Sequence, residues 1–481
     1  MKNIYTRIIV ICLILMVKLS TLSAQESTTL QFMKGMPQSD LLNPALHNDS
    51  SKVVIGLPGL SGFYFDFNSG FAINDLIHKG TGMLADSLVL DIDKFHGKLS
   101  STNTVQQSFS MPLFYLGLQI NKSFYSFGIT EKEVSQFTFD KSIVTFLKDG
   151  NAPYLGQNFD LGSLKMNAFH YREYAFGYSR EVIKNKLTVG AKVKALYGKF
   201  ALQTERMNMK VETAADGSSL NLRSDMKINM SLPATLEYDS LGYLSGINTD
   251  KLTLLDYMMQ KGNFGMAFDL GGVYQLTSKI TLSASIVDIG SISFKKDVNS
   301  MTKISDYTWT GIDFSNSIDS INNPNYISPS KLVSQETDKM KHSFLPRQSE
   351  VKSDPFKVNI PIKYNIGGTY KINDKFNVGL LDRLYKYGSI SRNTMTLSGN
   401  AYFGDTFSLT GSYTMAGNTY NNLGLGLAIK EGFMQLYFVS DNILALADPS
   451  KARFVNARVG INFLFGRKPH PNPPQKGREQ E

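Results

Sequence analysis

From about residue 113 onward the chain alternates. Between Phe454 and Phe465 one series reads Val455, Ala457, Val459, Ile461, Phe463, Phe465, and the other reads Asn456, Arg458, Gly460, Asn462. A period of two with one apolar and one polar side is the pattern of a β-strand. It returns at 113–120, 123–130, 172–180, 186–196, 264–276, 280–290, 359–372, 375–385, 392–402, 407–415, 421–430 and 432–440. The run from Ile360 is the cleanest, with Ile360, Ile362, Tyr364, Ile366 and Tyr370 opposed to Asn359, Lys363, Asn365, Thr369 and Lys371. Residues 52–67 read as a first strand, bent or bulged at its Gly and Pro interruptions. Residues 71–108 give no clean period, and FAINDLI and MLADSLVLDIDKF read there as short helices.

Any one such strand would suit a soluble sandwich, but the connections discriminate. Counted back from the last strand, the connections 441–452, 416–420, 386–391, 291–358, 197–263 and 131–171 fall on one side. Those at 430–432, 403–406, 373–374, 277–279, 181–185 and 121–122 fall on the other, and each is shorter than its neighbours. Transmembrane barrels have short periplasmic turns and longer outer loops, with lipid outside and a polar interior. The predicted fold is therefore all-β, a transmembrane antiparallel β-barrel of roughly fourteen strands over residues 51–466, with long extracellular loops at 197–263 and 291–358. The weakly alternating pair 199–213 and 218–232, around Asp216-Gly217, is read as a hairpin standing above the membrane.

The ends of the chain agree with this location. Residues 1–24 carry Lys2 and Arg7 ahead of the apolar run Ile8–Val17, then Ser23 and Ala24, the form of a secretory signal peptide. Cys12, the only cysteine, lies in that leader, so the mature chain is expected to have no disulfide and no thiolate chemistry. Without Lys2, Arg7 and Lys18 the net charge falls from +9 to +6, and the basic residues are scattered, which argues against nucleic acid. Residues 467–481, charged and Pro-rich, read as a disordered periplasmic tail.

Catalytic and cofactor motifs are missing from the sequence. The six histidines are dispersed without metal-ligand spacing. There is no GxSxG elbow, and Gly424 and Gly426 read as small residues of a strand. Asp91 and Asp93 read as a solvated turn. No enzyme activity, metal or cofactor is expected. What remains is the inner face, where Lys192, Lys194, Asp269, Lys363, Asn365, Asn456, Arg458 and Asn462 fall on the polar series of their strands. Enclosed charges need partners or water, so these groups either stiffen the wall as an ion-pair network or line a solute path. Val455, Val459, Ile461, Phe463 and Phe465 form the lipid side of the barrel-closing strand. Phe65, Phe67 and Phe71 read as girdle or packing aromatics, with contact to an apolar ligand as the alternative.

Asn43-Pro44-Ala45, shortly after the leader, together with GLPGLSGFYFDFNSGF from Gly56 and the closing DNILALADPSKARFVNARVGINFLFG, resembles the FadL-type and PorV-like outer-membrane barrels. Within these the chain looks most like a branch of unknown function common in Bacteroidota. The resemblance implies that residues 25–50 fold back into the lumen as a hatch carrying Asn43, Pro44 and Ala45, although the Gly- and Ala-rich stretch usual upstream is replaced here by FMKGMPQSDLL. It implies residence in the outer membrane of a Gram-negative cell, contact with outer-membrane lipid, and insertion by the barrel-assembly machinery. As function it implies a plugged channel for small hydrophobic solutes or, alternatively, a non-transporting subunit of secretion or surface-attachment machinery.

Overall fold

The computed structural model describes residues 27–47, 51–250, 252–318, 324–388, 390–416 and 419–467. The expected leader (1–24) and all but the first residue of the expected tail (467–481) lie outside these. Fourteen antiparallel strands close into a barrel. β1 comes in two pieces, Ser51–Gly56 and Phe63–Ser69, and is followed by β2 (Thr102–Ile120), β3 (Ser123–Asp140), β4 (Asn158–Ile183), β5 (Leu187–Thr213), β6 (Asn263–Gln275) and β7 (Ile280–Phe294). β8 is also split, into Phe356–Asn359 and Ile362–Lys371, and β9 (Phe376–Tyr387), β10 (Ile390–Phe403), β11 (Phe407–Ala416), β12 (Thr419–Glu431), β13 (Met434–Ser440) and β14 (Phe454–Arg467) complete the wall. β14 pairs with both pieces of β1, Val53 opposite Phe465 and Phe63 opposite Val459. Closure leaves no wall strand with an unpaired edge.

The sidedness is the reverse of a water-soluble protein. Phe176, Val193, Leu270, Ile366, Leu397 and Leu436 point outward and are exposed, whereas Lys192, Asp269, Arg383, Asn456 and Arg458 point inward and are buried. No described helix is long and apolar enough to cross a membrane, so the crossing is made by strands. Aromatic rings border the apolar belt at both ends. Tyr197 lies 5.6 Å from Tyr174 and 5.5 Å from Phe264 toward the outer rim, and Phe433 stacks 5.6 Å from Phe465 at the short-turn end.

The wall is taller on one side than the alternation predicts. β4 and β5 have 26 and 27 residues, where roughly 10 suffice to cross a bilayer. Their outer halves project beyond it. The arm of β5 there pairs with Leu220–Ser231, which pairs in turn with Val298–Trp309, so the hairpin expected above the membrane is the start of an outer sheet. The helix Pro329–Phe344 packs on that sheet, with the Tyr307 hydroxyl donating to Glu336 and Ser305 Oγ donating to the Ser343 carbonyl at 2.7 Å. Much of 131–171, expected as a loop, is therefore strand. Within 71–108 only Ile73–Leu76 and Ile92–Lys98 are α-helical, a small pair Ile77–Lys79 and Leu88–Leu90 lies between them, and β2 begins at Thr102. These projecting segments do not separate lipid from lumen, and bulges at Asp160/Gly162, Ser163/Asn167 and His170/Tyr171 interrupt their phase.

Candidate functional site: the plugged lumen

Residues 27–47 lie inside the barrel as two 3₁₀ turns, Thr28–Phe32 and Pro37–Leu41, joined by a Gly35 turn at φ 71°. Leu30, Met33, Met36 and Leu42 form a buried apolar cluster with Ala428, Tyr437 and Val439 of the wall. The wall makes room by omitting side chains. A Cβ on Gly271 would stand 2.0 Å from Asn43 Oδ1, one on Gly190 2.4 Å from the Pro44 carbonyl, and one on Gly379 2.3 Å from the Phe32 ring. Gly424 and Gly426 of β12 face Thr29 and Met33 in the same way.

Polar contacts fix the plug on several sides. The Thr28 and Thr29 amides donate to the Asp441 carboxylate at 2.7 and 2.8 Å, and Asn456 Nδ2 donates to that carboxylate at 3.1 Å. Gln38 and Asn462 exchange two amide hydrogen bonds of 2.6 and 3.0 Å, while Gln38 Nε2 also reaches the Ser61 carbonyl in the break of β1. Asn365 Nδ2 donates to the Leu42 carbonyl at 3.0 Å, and its Oδ1 accepts from Arg383 Nε at 2.6 Å. Asn43 Nδ2 donates to the carbonyls of Gly272 and Ala284, and its Oδ1 accepts from the Ala45 amide, so the Asn-Pro-Ala triplet is a turn clamped between β6 and β7. His47, at the end of the plug, stacks on Phe124.

A layer of buried charge touches the plug at Asp40. Lys192 Nζ lies 3.0 Å from Asp40 Oδ2, which also accepts from the Tyr115 hydroxyl. Beside this pair Lys194 reaches Asp269 at 2.7 Å and Asp288 at 2.5 Å, Lys363 reaches Asp288 at 2.9 Å, and Lys132 reaches Glu173 at 2.8 Å. Four lysines therefore face four carboxylates, a balance that compensates for desolvation. Arg458 takes no part in this layer, and its guanidinium lies over the Tyr64 ring at 4.5 Å.

Of the residues expected on the inner face, Lys192, Asn365 and Asn462 touch the plug, Asn456 reaches it through Asp441, and Lys194, Asp269 and Lys363 meet in the charged layer. On the closing strand Val459 and Phe465 are exposed to the outside, Ile461 and Phe463 are half-buried, and Val455 is covered. Phe65 and Phe67 turn outward on β1, and Phe71 packs 4.8 Å from Phe95 in the outer region, so none of the three faces the plug. Asp91 caps the helix Ile92–Lys98 through the Lys94 amide, and Asp93 pairs with Lys148.

The sequence reading missed Asp40, Lys132, Glu173 and Asp288. Glu173 is in phase with the inward Gly177 and Ser179, so the parity of β4 could have found it. Asp288 is out of phase. A bulge opposite Asp269 puts it at φ 64°, turning both Val287 and Asp288 inward, and its amide donates to Asp269 at 2.7 Å.

A space of about 510 Å³ lies at the short-turn end against Lys34 of the plug and Lys279, Asn373, Tyr402 and Asp405 of the wall, but little remains around the charged layer. One cavity of about 40 Å³ lies beside the charged layer, against Tyr64, Tyr171 and Tyr385, and another of about 40 Å³ lies between Pro37 and Leu41 of the plug and Pro112, Phe114 and Tyr115 of the wall. Spaces of that size hold a few waters at most.

A profile of the family of unknown function DUF5723 matches residues 44–441. The chain belongs to this family. No curated protein matches it. Solved structures similar to this DUF5723 protein include the Ralstonia pickettii toluene transporter TbuX, at 10% identity over 92% of this chain and 97% of that one with a TM-score of 0.39. A Pseudomonas aeruginosa FadL homologue, at 10% identity, covers 93% and 100% with a TM-score of 0.40. Likeness at this level leaves the architecture of the DUF5723 barrel resting on the strand pairing described above.

Proposed function

We propose that this DUF5723 protein is an outer-membrane channel of the FadL kind, held shut by its own N-terminal segment, through which a small hydrophobic solute passes when that segment shifts. The observation that carries the reading is the seating of residues 27–47, which close the lumen through side-chain contacts and a row of wall glycines, all of which can be remade. The apolar lining supplied by Pro37, Leu41, Pro112 and Phe114 favours a hydrophobic solute at the plug. Lys192, Lys194, Asp269 and Lys363 would then border the path and set its charge preference. The test is entry of a small aromatic hydrocarbon into cells making the protein and into cells lacking it. Faster entry with the protein supports the proposal, and equal entry overturns it.

A second reading is a PorV-like accessory subunit of secretion or surface-attachment machinery. The outer sheet Leu220–Ser231 and Val298–Trp309, with its packed helix, favours it, because that structure stands clear of the wall and contributes nothing to closing it. Affinity purification from native membranes decides. A stoichiometric protein partner lost on removing 315–350 supports this reading, and a lone barrel refutes it.

A further inference from the structure

One apolar surface lies outside the lipid belt. The helix Leu254–Met259 precedes β6, and its Leu254, Leu255 and Met259 side chains are 78%, 71% and 53% exposed. Its other side is fastened to the outer face of the wall. Lys199 Nζ donates to the carbonyls of Met258 and Gln260 at 2.8 and 2.6 Å, and Tyr257 Oη lies 2.6 Å from His170 Nδ1. His170 Nε2 is 3.1 Å from Glu131, which also holds Arg172. These polar groups share the outward face with Tyr174 and begin one step beyond it, with Arg172 in register with Tyr197 and Tyr197 with Phe264, at the aromatic border that marks the end of the apolar belt.

The height of the helix follows from chain length. Five residue steps lead from Met259 to Phe264, at most about 18 Å of extended chain. A short helix held at that level, polar toward the wall and apolar away from it, has the disposition of a segment lying in a bilayer interface. Three large apolar side chains this exposed form a patch that calls for a covering, and the groups that fasten the helix, Lys199 and His170, lie next to the aromatic border of the belt along β5 and β4.

We infer that Leu254–Met259 is an interfacial anchor whose Leu254, Leu255 and Met259 side chains enter the boundary between headgroups and acyl chains of the outer leaflet, with Lys199 and His170 holding the helix against the wall. The inference rests on the outward face of the barrel meeting lipid, and the experiment separates the two. In a Trp309→Phe background, single tryptophans are placed by Leu255→Trp and, as a control in the border itself, by Phe264→Trp. The protein is reconstituted in phosphatidylcholine vesicles carrying bromine on the acyl chains near the headgroups. Quenching at 255 comparable to that at 264, and unchanged on diluting protein in lipid, supports the anchor. Quenching at 264 with water-like, iodide-accessible emission at 255 overturns it, as does burial at 255 that disappears on dilution, which would identify a second copy as the cover. Absence of quenching at 264 would instead refute the lipid-facing reading of the wall, and the anchor with it.

Discussion

Asp40→Asn should loosen the plug without removing any atom of the packing. Asp40 is the plug's partner for Lys192, both side chains being nearly inaccessible, and asparagine can still accept from Tyr115. Removing one member of a buried ion pair costs roughly 3–5 kcal/mol, and the retained hydrogen bond argues for the lower end, about 3 kcal/mol. At tenfold per 1.4 kcal/mol, the ratio of unseated to seated plug rises by a factor of about 100. The assay uses a thiol at Met36, which is buried in the plug cluster, in a processed chain expected to carry no other cysteine. The labelling rate of Met36→Cys by a polar maleimide follows the unseated population when reseating is fast. The rate should rise by about two orders of magnitude with Asp40→Asn, and should return toward the starting value when Asp40→Leu and Lys192→Met remove the pair together. Equal labelling in the single and parent backgrounds would refute the idea that this pair latches the plug. Failure of the double variant to recover protection would assign the effect to packing.

Gly271→Val should unseat the Asn43 turn, because the first added carbon already overlaps Asn43 Oδ1, whereas Gly399→Val, with open space around it, should not. Solute entry raised by the first and unchanged by the second is the expected result, and identical behaviour would argue against glycine-seated closure. Asp288→Asn keeps a residue type that tolerates positive φ but removes the charge shared by Lys194 and Lys363. The barrel should unfold at a urea concentration lower by an amount corresponding to about 3 kcal/mol or more, and an unchanged midpoint would show that water compensates these lysines. The outer sheet should open at low pH. Asp239, held below the usual carboxylate range by the Tyr243 amide, and Glu336, held there by the Tyr307 hydroxyl, contribute stability that is present above the ordinary value of about 4 and lost as pH falls through their lowered values. Protease cleavage in 315–350 should stay flat down to about pH 4 and rise below it. Cleavage that stays flat below about pH 4 would refute the role given to these two carboxylates.

The wall was legible in the sequence because lipid on one face and a polar interior on the other impose a phase on every strand. Asn456, Arg458 and Asn462 could be placed inward from alternation alone, and the split of β1 could be read from its Gly and Pro residues. The outer halves of β2 to β5 were not legible, since no lipid boundary constrains their sides. Asp288 was hidden by a bulge that changes phase within one strand, and Asp40 by belonging to a segment with no period at all. Its pairing with Lys192 is a fact of tertiary structure, made between residues that no local pattern connects.

The split first strand bears on how the molecule is assembled. Only three residues separate His47, the end of the plug, from Ser51, the start of β1, and β1 is the strand on which β14 must dock to complete the cylinder. That seam joins the two ends of the chain, the most distant pairing in sequence and so the one with the largest loop to close. A segment tethered this closely to the seam is already at the threshold when the seam zips. Biogenesis and sealing then become one event, and the nascent cylinder is never an empty hole in the bilayer.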